Sequence, residues 1–380
     1  MLSDAIRPGD GIVWGQACAE PQALVEALLA ERAALSGCSV FLGINYSGSV
    51  RPEHADHLRL SAYCGIGHNR TLADAGVLEL LPVAYSQLGG LIREGRIRAD
   101  VVMVQVSPPN PRGEYSLGLA ADYLIPALEV CRAIVAEVND QVPWTWSERL
   151  LKEDDFDLLV HTSRAPLQAP YRLGELEAAI ARAAAALVPD GATVEFGIGA
   201  LPDAVCSALG GHKDLAIHSG TVGDGVVDLL RRGVARQVDA AMLVGTRKLY
   251  DFARDNPAIR LRSCEYTHNP RVLETLKRFV AINSAVEVDL TGQVNGEMAR
   301  GSYVGAVGGA PDFIRAGNQS PGGLSIIVVP AARVVERLSG PVSVPRSDAG
   351  VVVTERGAAD LRGCTLAERE RRMRKISGNS

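Results

Sequence analysis

The sequence predicts an α/β protein made of two tandem domains, each an open, mainly parallel β-sheet covered by helices. Three observations lead to this prediction. Short apolar segments alternate with helical segments along the chain, one α/β segment occurs twice in similar form, and 380 residues exceed the length of a usual single domain. Hydrophobic residues make up 47% of the chain but aromatic residues only 5%, so the cores must consist mainly of aliphatic side chains and alanine.

Short apolar runs, several of them rich in β-branched residues, have the length and composition of strands buried in a parallel sheet. They comprise residues 12–14, 40–42, 101–106, 134–137, 193–196, 241–244, 326–329 and 351–354. Helical segments lie between them and include residues 22–34, 175–187 and 202–209. Because strands and helices alternate, we expect helices on both faces of a parallel sheet.

One segment of the chain recurs at an offset of 181 residues, because residues 10–28 resemble residues 191–209. The matched pairs are Val13 with Val194, Ala19 with Ala200, Pro21 with Pro202, Ala23 with Ala204, Ala27 with Ala208 and Leu28 with Leu209. A second pair of similar segments follows in the same order, residues 91–95 (LIREG) and 229–233 (LLRRG), and an apolar strand follows each. Two matches in one order indicate two copies of an α/β domain.

The join between the copies is expected near residues 165–174, where Pro166, Pro170 and Gly174 accompany polar residues and a helical segment then begins. The sequence therefore predicts an N-terminal domain over residues 1–172 and a C-terminal domain over residues 173–380.

Charge and hydropathy exclude several classes of function. Lys and Arg total 39 against 44 Asp and Glu, and no basic run is interleaved with aromatic residues, so we expect no nucleic-acid groove. No apolar run approaches the ~18 residues of a membrane span, and the first residues lack the features of a signal peptide. The seven cysteines are scattered and form no CxxC pair. We therefore expect a cytoplasmic protein with no membrane association, no disulfide framework and no metal site.

Glycine-rich turns mark the candidate ligand site. Gly197, Ile198 and Gly199 lie where a predicted strand passes into a helix, so the backbone can approach a ligand and the helix N-terminus favours an anion or an oxyanion. Packing glycines in a tight turn are an equally good explanation of this GxG pattern alone. Further glycine clusters, residues 305–309 and 320–323, match neither a Walker A loop nor a GxGxxG dinucleotide motif.

Longer motifs make the chain resemble the acetyl-CoA hydrolase/transferase family, which includes the 4-hydroxybutyrate and butyrate CoA-transferases. The resemblance covers nearly the whole chain and rests on residues 136–143 (AEVNDQVP), 197–205 (GIGALPDAV), 224–229 (DGVVDL), 245–252 (GTRKLYDF), 282–294 (INSAVEVDLTGQV), 307–309 (VGG) and 353–363 (VTERGAADLRG). It implies two domains of the CoA-transferase type, with coenzyme A or an acyl-CoA as substrate, a small carboxylate as the second substrate and no metal. A homo-oligomer is compatible with such an enzyme, although no sequence feature sets the number of chains.

Members that transfer CoA resemble two-step covalent enzymes, in which a glutamate attacks the thioester and an enzyme-CoA thioester then forms. The resemblance places that glutamate at Gly220, within His218-Ser219-Gly220-Thr221. Glycine has no side chain and cannot form the anhydride. The candidate replacement is Glu195, as a base for water or as a substitute nucleophile. Alternatively, Glu195 is a hydrogen-bonding or solvent-facing residue, and Asp203 and Asp224 belong to helix starts. His218 could act as a general base for water, but the family pattern contains it in any case, which favours a positional role.

The resemblance further implies that Asn295 orients CoA, although Asn-Gly is also a strong turn signal. It assigns Val307, Gly308 and Gly309 to a loop that supplies backbone donors near the thioester. The sequence thus predicts an enzyme that handles acyl-CoA, by CoA transfer to a carboxylic acid or by hydrolysis of a short-chain acyl-CoA. The alternative is a CoA-binding homologue without catalysis, or an inactive partner subunit, because of Gly220.

Overall fold

The computed structural model describes residues 2–171 and 173–378. Its strands are β1 (Gly11–Trp14), β2 (Ser39–Leu42), β3 (Arg59–Ala62), β4 (Leu78–Leu80), β5 (Val101–Val106), β6 (Tyr115–Ser116), β7 (Ala133–Asn139), β8 (Trp146–Ser147), β9 (Leu150–Leu151), β10 (Leu158–Thr162), β11 (Thr193–Phe196), β12 (Leu215–Val222), β13 (Ala235–Leu243), β14 (Ile259–Leu261), β15 (Phe279–Ser284), β16 (Glu287–Asp289), β17 (Val294–Asn295), β18 (Met298–Ala299), β19 (Ser302–Tyr303), β20 (Leu324–Val328), β21 (Val334–Val335), β22 (Val351–Thr354) and β23 (Gly357–Asp360).

The α-helices lie between these strands. They are α1 (Gln22–Glu31), α2 (Asn69–Asp74), α3 (Leu88–Arg93), α4 (Leu124–Val130), α5 (Glu175–Ala185), α6 (Ala200–Ala208), α7 (Gly225–Arg231), α8 (Arg247–Ala253), α9 (Cys264–Thr267), α10 (Pro270–Leu273), α11 (Ala310–Gln319) and α12 (Leu366–Ile376).

The chain folds into two compact units, each assembled from separate segments of sequence. Unit 1 comprises Met1–Ala169, Ala241–Glu265 and Ser302–Val304, and unit 2 comprises Pro170–Ala240, Tyr266–Gly301 and Gly305–Ser380. The division of the chain into domains over residues 1–172 and 173–380 stays a prediction.

The main sheet of unit 1 has the strand order β10-β7-β5-β1-β2-β3-β4, and neighbouring strands run parallel. Its central strands are buried along their whole length, as β1 and β5 show. This explains why their sequences, GIVW and VVMVQV, are nearly continuous apolar runs rather than alternating ones.

The main sheet of unit 2 has the order β23-β22-β20-β15-β11-β12-β13. The strands from β22 through β20, β15 and β11 to β12 are parallel, and only the pairing of β22 with the edge strand β23 is antiparallel among the pairs described here. Buried aliphatic residues from β16, β20, β22 and α12 form a core on this unit. The predicted fold class, mainly parallel sheets flanked by helices, is confirmed.

The two sheets share one connection pattern. β1 lies between β2 and β5, and β11 lies between β12 and β15. In both cases the strand that follows in the sequence pairs on one side and a later strand pairs on the other. The repeated segments that carry Val13 and Val194 form β1 with α1 and β11 with α6. The carboxyl ends of parallel strands meet at one edge of a sheet, where ligands bind in open α/β folds, so this edge positions the candidate site.

Candidate active site

In unit 2, buried polar side chains lie at the carboxyl ends of three adjacent strands. They are Glu195 on β11, Ser219 on β12 and Asn283 on β15. Ser219 joins two of these ends, because its Oγ accepts a hydrogen bond from the backbone N–H of Phe196 at 3.2 Å and lies 2.9 Å from the carbonyl oxygen of Phe196. Gly197 directly follows Phe196, and Gly220 directly follows Ser219. This contact therefore holds the two glycines side by side where β11 and β12 pair.

Glu195 is 1% exposed and makes hydrogen bonds only toward β15 in the contacts described. Its Oε2 accepts the side-chain N–H of Asn283 at 2.7 Å and the backbone N–H of Ile282 at 3.2 Å. Burial raises the pKa of the Glu195 carboxyl well above its usual value, and these hydrogen bonds offset only part of that shift. The catalytic role of Glu195 stays a prediction, and its contacts favour the structural alternative.

Replacement of Glu195 by glutamine is expected to change turnover by less than about 10-fold, whereas loss of a general base costs roughly 10²–10⁴-fold. The glutamine amide oxygen can accept the same two hydrogen bonds. Because the folded-state pKa of Glu195 is raised, its contribution to stability is present below the unfolded pKa and is lost as the pH rises through the folded pKa. The variant should therefore unfold at higher urea than the wild type at pH 8, with a smaller difference at pH 4.5. Glu274→Gln, at an exposed position, is the control.

The predicted glycine turn is present where β11 passes into α6. Gly199 has φ +127° immediately before the helix, a conformation that favours glycine. A Cβ at Gly197 would lie 2.9 Å from Oδ1 of Asn283, so this glycine leaves room for the buried amide. Together with Ile198 these residues are partly exposed, and α6 begins directly after them. The N–H groups of Ala200 and Leu201, in the first turn, have no acceptor within the helix.

Gly220 lies against the side chain of His268. A Cβ at Gly220 would be 3.0 Å from both Nε2 and Cε1 of that imidazole, and a Cβ at Gly309 would be 2.6 Å from the same Nε2. The ring therefore lies between the end of β12 and the glycine loop that precedes α11. Because glycine has no Cβ, the backbone at both positions can approach the imidazole closely.

The imidazole of His268 is held by its neighbours and is 3% exposed. Its Nδ1 lies 2.9 Å from Oγ1 of Thr267, and its ring packs on Phe313 with the centroids 4.5 Å apart. Burial, with a smaller effect from the nearby His218, lowers the pKa of His268 to about 3. His268 is therefore neutral at physiological pH. His218 itself is buried, and its Nε2 lies 2.8 Å from the carbonyl oxygen of Thr267.

Asn295 is fully buried, and its amide holds the loop that leads to the second glycine cluster. Its Nδ2 donates to Oε1 of Glu287 at 3.0 Å and to the carbonyl of Met298 at 2.8 Å, and its Oδ1 accepts the backbone N–H groups of Glu297 and Met298. Glu297 then accepts the N–H of Gly305 through its carbonyl at 2.9 Å. These contacts give Asn295 a structural role in the loop, and its contact with CoA stays a prediction.

Val307, Gly308 and Gly309 form a partly exposed loop at the start of α11. Gly308 has φ +57°, in the left-handed region. The loop lies beside the imidazole of His268, which also lies beside Gly220. Three sequence-predicted groups are thus brought together in unit 2: the turn at 197–199, the strand end at Gly220 and the loop at 307–309.

In unit 1, at the offset of 181 residues, Gln16 corresponds to Gly197 and forms a buried hydrogen-bond network. Nε2 of Gln16 donates to the Tyr85 hydroxyl at 2.6 Å and to Oδ2 of Asp122 at 2.7 Å, and its Oε1 accepts the Tyr63 hydroxyl at 2.9 Å. Burial raises the pKa of Asp122 to about 6. Because Gln16 fills this turn, the glycine loop is a specialisation of unit 2.

Sequence reasoning missed His268 and Asn283. His268 lies in a polar segment between α9 and α10, with no motif around it, and only the packing of distant segments brings it against Gly220. Asn283 did stand within the motif at residues 282–294, next to a buried strand, and that position was the available signal.

Within residues 2–171 and 173–378, no helix is both long and apolar enough to cross a membrane. The same residues contain no group of three or more His, Cys, Asp or Glu side chains arranged to hold a metal ion.

Comparison with known protein families identifies the class of α/β enzyme to which this fold and its strand-end site belong. The model of the acetyl-CoA hydrolase/transferase N-terminal domain matches residues 2–154, and that of the C-terminal domain matches residues 245–379. The chain belongs to the acetyl-CoA hydrolase/transferase family, as the sequence motifs predicted.

Individual relatives carry both kinds of activity in their names. The chain is similar to the 4-hydroxybutyrate coenzyme A transferase of Clostridium kluyveri, with 35% identity over 387 residues covering 96% of this chain and 90% of the relative. It is 30% identical to the acetyl-CoA hydrolase of Saccharomyces cerevisiae over 196 residues, which cover 47% of this chain and 36% of that protein. The crystal structure of RipA from Yersinia pestis superposes with a TM-score of 0.93 at 30% identity, covering 99% of this chain and 92% of RipA.

Proposed function

We propose that this protein hydrolyses a short-chain acyl-CoA by direct attack of water on the thioester carbonyl. The observation that carries the proposal is Gly220, where the resemblance places the nucleophilic glutamate and where the imidazole of His268 lies 3.0 Å from the Cβ position. No anhydride and no enzyme-CoA thioester can form at a glycine. Water is then the nucleophile that remains available.

The surrounding backbone suits this reaction. The helices α6 and α11 both begin at glycine turns, and the first N–H groups of a helix lack partners within it. Such N–H groups stabilise an oxyanion that develops on the thioester carbonyl. In the proposed reaction water adds to that carbonyl, the C–S bond breaks, and the products are the carboxylic acid and CoA with its thiol.

Coenzyme A, as part of the acyl-CoA substrate, is the ligand we propose for the glycine loops and Asn295, with no metal involved. We also propose a cytoplasmic location, a homo-oligomeric assembly and a domain boundary between residues 172 and 173.

A small carboxylate acceptor would be needed only for CoA transfer. That second candidate function is favoured by the similarity to a coenzyme A transferase over 96% of this chain.

A panel of short-chain acyl-CoAs, each with and without acetate, tests the proposed function. We expect release of free CoA thiol at a rate that does not depend on acetate, and no passage of isotope-labelled acetate into acetyl-CoA. Acetate-dependent exchange of label would identify a transferase. Calorimetric binding of CoA with no turnover of any thioester would instead identify a CoA-binding protein without catalysis.

A further inference from the structure

The buried carboxyl of Glu195 has no step of its own in the proposed hydrolysis, and its contacts lead to a second residue. Its Oε2 accepts the side-chain N–H of Asn283 at 2.7 Å and the backbone N–H of Ile282 at 3.2 Å. Strands β11 and β15 are paired here, with Glu195 opposite Ala281 and Phe196 opposite Ile282. Glu195 therefore holds a side chain that lies at the carboxyl end of the neighbouring strand.

Asn283 is held in one orientation by this contact. The residue is 6% exposed, and because its Nδ2 is bound to Glu195, its Oδ1 occupies the other side of the amide. Oδ1 lies 2.9 Å from the position that a Cβ on Gly197 would take, and Cα of Asn283 lies 3.3 Å from the same position. The first glycine of the turn at residues 197–199 therefore packs directly on Asn283.

Gly197 is held by both the backbone and a side chain of β15. Its N–H donates to the carbonyl of Ile282 at 2.8 Å, and the side chain of Asn283 borders it at the Cβ position. The chain then passes through Gly199, at φ +127°, into α6, whose first N–H groups we propose as oxyanion donors. The direction of those N–H groups depends on the conformation of the turn, so a shift at Gly197 is passed on to them.

We propose that Asn283 is a positioning residue for the hydrolysis, which is held by Glu195 and in turn fixes the turn at residues 197–199. The inference rests on the proposed hydrolytic function. Position 195 needs an acceptor and no charge, because the amide of Asn283 and the N–H of Ile282 are neutral donors. Oxyanion donors act most strongly when charge develops on the thioester carbonyl, so a displaced turn slows the reaction more than it weakens substrate binding.

Leucine and glutamine at position 195 separate this role from catalysis by a base. Glu195→Leu removes the acceptor and releases the amide of Asn283, and we expect kcat for the best acyl-CoA to fall about 10²-fold, as for a small displacement of a catalytic group. KM should change little. Glu195→Gln keeps an acceptor, and its kcat should stay within about 10-fold of the wild type. Equal and large losses in the two variants would identify a base, and an unchanged kcat in Glu195→Leu would show that the contact has no effect; either result overturns the proposal.

A double-mutant cycle tests whether Glu195 and Asn283 act as one unit. We expect Asn283→Leu to lower kcat by a factor similar to that of Glu195→Leu, and the double variant to lose no more than either single variant. Losses that multiply in the double variant, or an unchanged kcat in Asn283→Leu, would overturn the proposal and leave the proposed function standing. Absence of turnover in the wild type would overturn both.

Asn318→Leu is the matched control for these variants. Asn318 also joins two segments, because its Nδ2 donates to the carbonyl of Asp348 at 2.6 Å and its Oδ1 accepts the hydroxyl of Ser325 at 2.8 Å. Ser325 lies near the amino end of β20, at the edge of the sheet opposite the candidate site. We expect the control to leave kcat unchanged even where it lowers stability.

The contact between Asn283 and Gly197 has a test that needs no turnover. The φ of Gly197 lies outside the left-handed region, so alanine is compatible with the backbone there and the neighbouring Asn283 is what opposes it. We expect Gly197→Ala to lower the thermal midpoint in the wild-type background, and to lower it less in the Asn283→Ala background, which lacks Oδ1. Equal effects in the two backgrounds would show that the side chain of Asn283 does not restrict the turn, and would overturn the proposal.

Discussion

Lowering the pH from 7 to about 4.5 is expected to destabilise unit 2 through His268. Burial lowers its pKa from 6.5 to about 3, so between these values the unfolded chain binds a proton that the folded protein excludes. The stability associated with neutral His268 is therefore fully present above pH 6.5 and is lost progressively as the pH falls toward 3. At ~1.4 kcal/mol per pKa unit, the complete effect is of order 4–5 kcal/mol.

The pH dependence of urea unfolding measures this effect. In His268→Asn the unfolding midpoint should fall less steeply between pH 6.5 and 4.5 than in the wild type, whatever the two midpoints are at pH 7. The carboxyls of Glu20 and Asp122, whose pKa values burial raises to about 7 and about 6, act in the opposite direction in both proteins and so cancel in the comparison. Parallel curves for the two proteins would contradict the burial of a neutral imidazole.

Substitution of Gly305 by alanine is expected to destabilise the protein by about 3 kcal/mol and to lower turnover with it. A Cβ at this position would overlap the carbonyl oxygen of Gly296, which accepts the backbone N–H of Ala306 at 3.1 Å. The backbone must shift to relieve the overlap, and the shift passes directly into the loop at 307–309. Because the overlap is with backbone, no side-chain rotation can remove it.

Urea unfolding and acyl-CoA turnover of the Gly305→Ala variant provide the measurement. Gly211→Ala is the matched control, because a Cβ there would meet no atom within 4 Å. We expect the control to retain the wild-type midpoint and rate. A Gly305→Ala protein with the stability of the control would show that residues 296–306 can adjust freely, and that Asn295 does not hold the loop in place.

Much of the fold could be predicted because its signals are local. The runs that became β1, β5 and β22 are almost continuously apolar, a pattern typical of strands buried on both faces of a parallel sheet. The boundaries were less accurate: helix α1 ends at Glu31, earlier than the predicted residue 34. No local feature of Arg32 to Ala34 marks this end, since all three residue types are compatible with a helix.

The site was only partly predictable. The glycine turn at Gly197 could be found because a strand, two glycines and a helix follow one another in the sequence. The contact of His268 with Gly220 could not, since it depends on how the α9–α10 segment packs over the end of β12. The pKa of Glu195 is raised by a burial that is nearly complete, whereas the sequence indicated only a strand end.

Mass spectrometry of the intact protein, quenched during turnover of an acyl-CoA, tests most directly whether water attacks the thioester without a covalent enzyme-CoA intermediate. The same samples are assayed for free CoA thiol, so that turnover is established in each. We predict thiol release with no CoA attached to the chain, because Gly220 offers no carboxylate to carry it. A species heavier by one CoA, mapped by proteolysis to Glu195 or to any other carboxylate, would contradict the account and identify a covalent transferase mechanism.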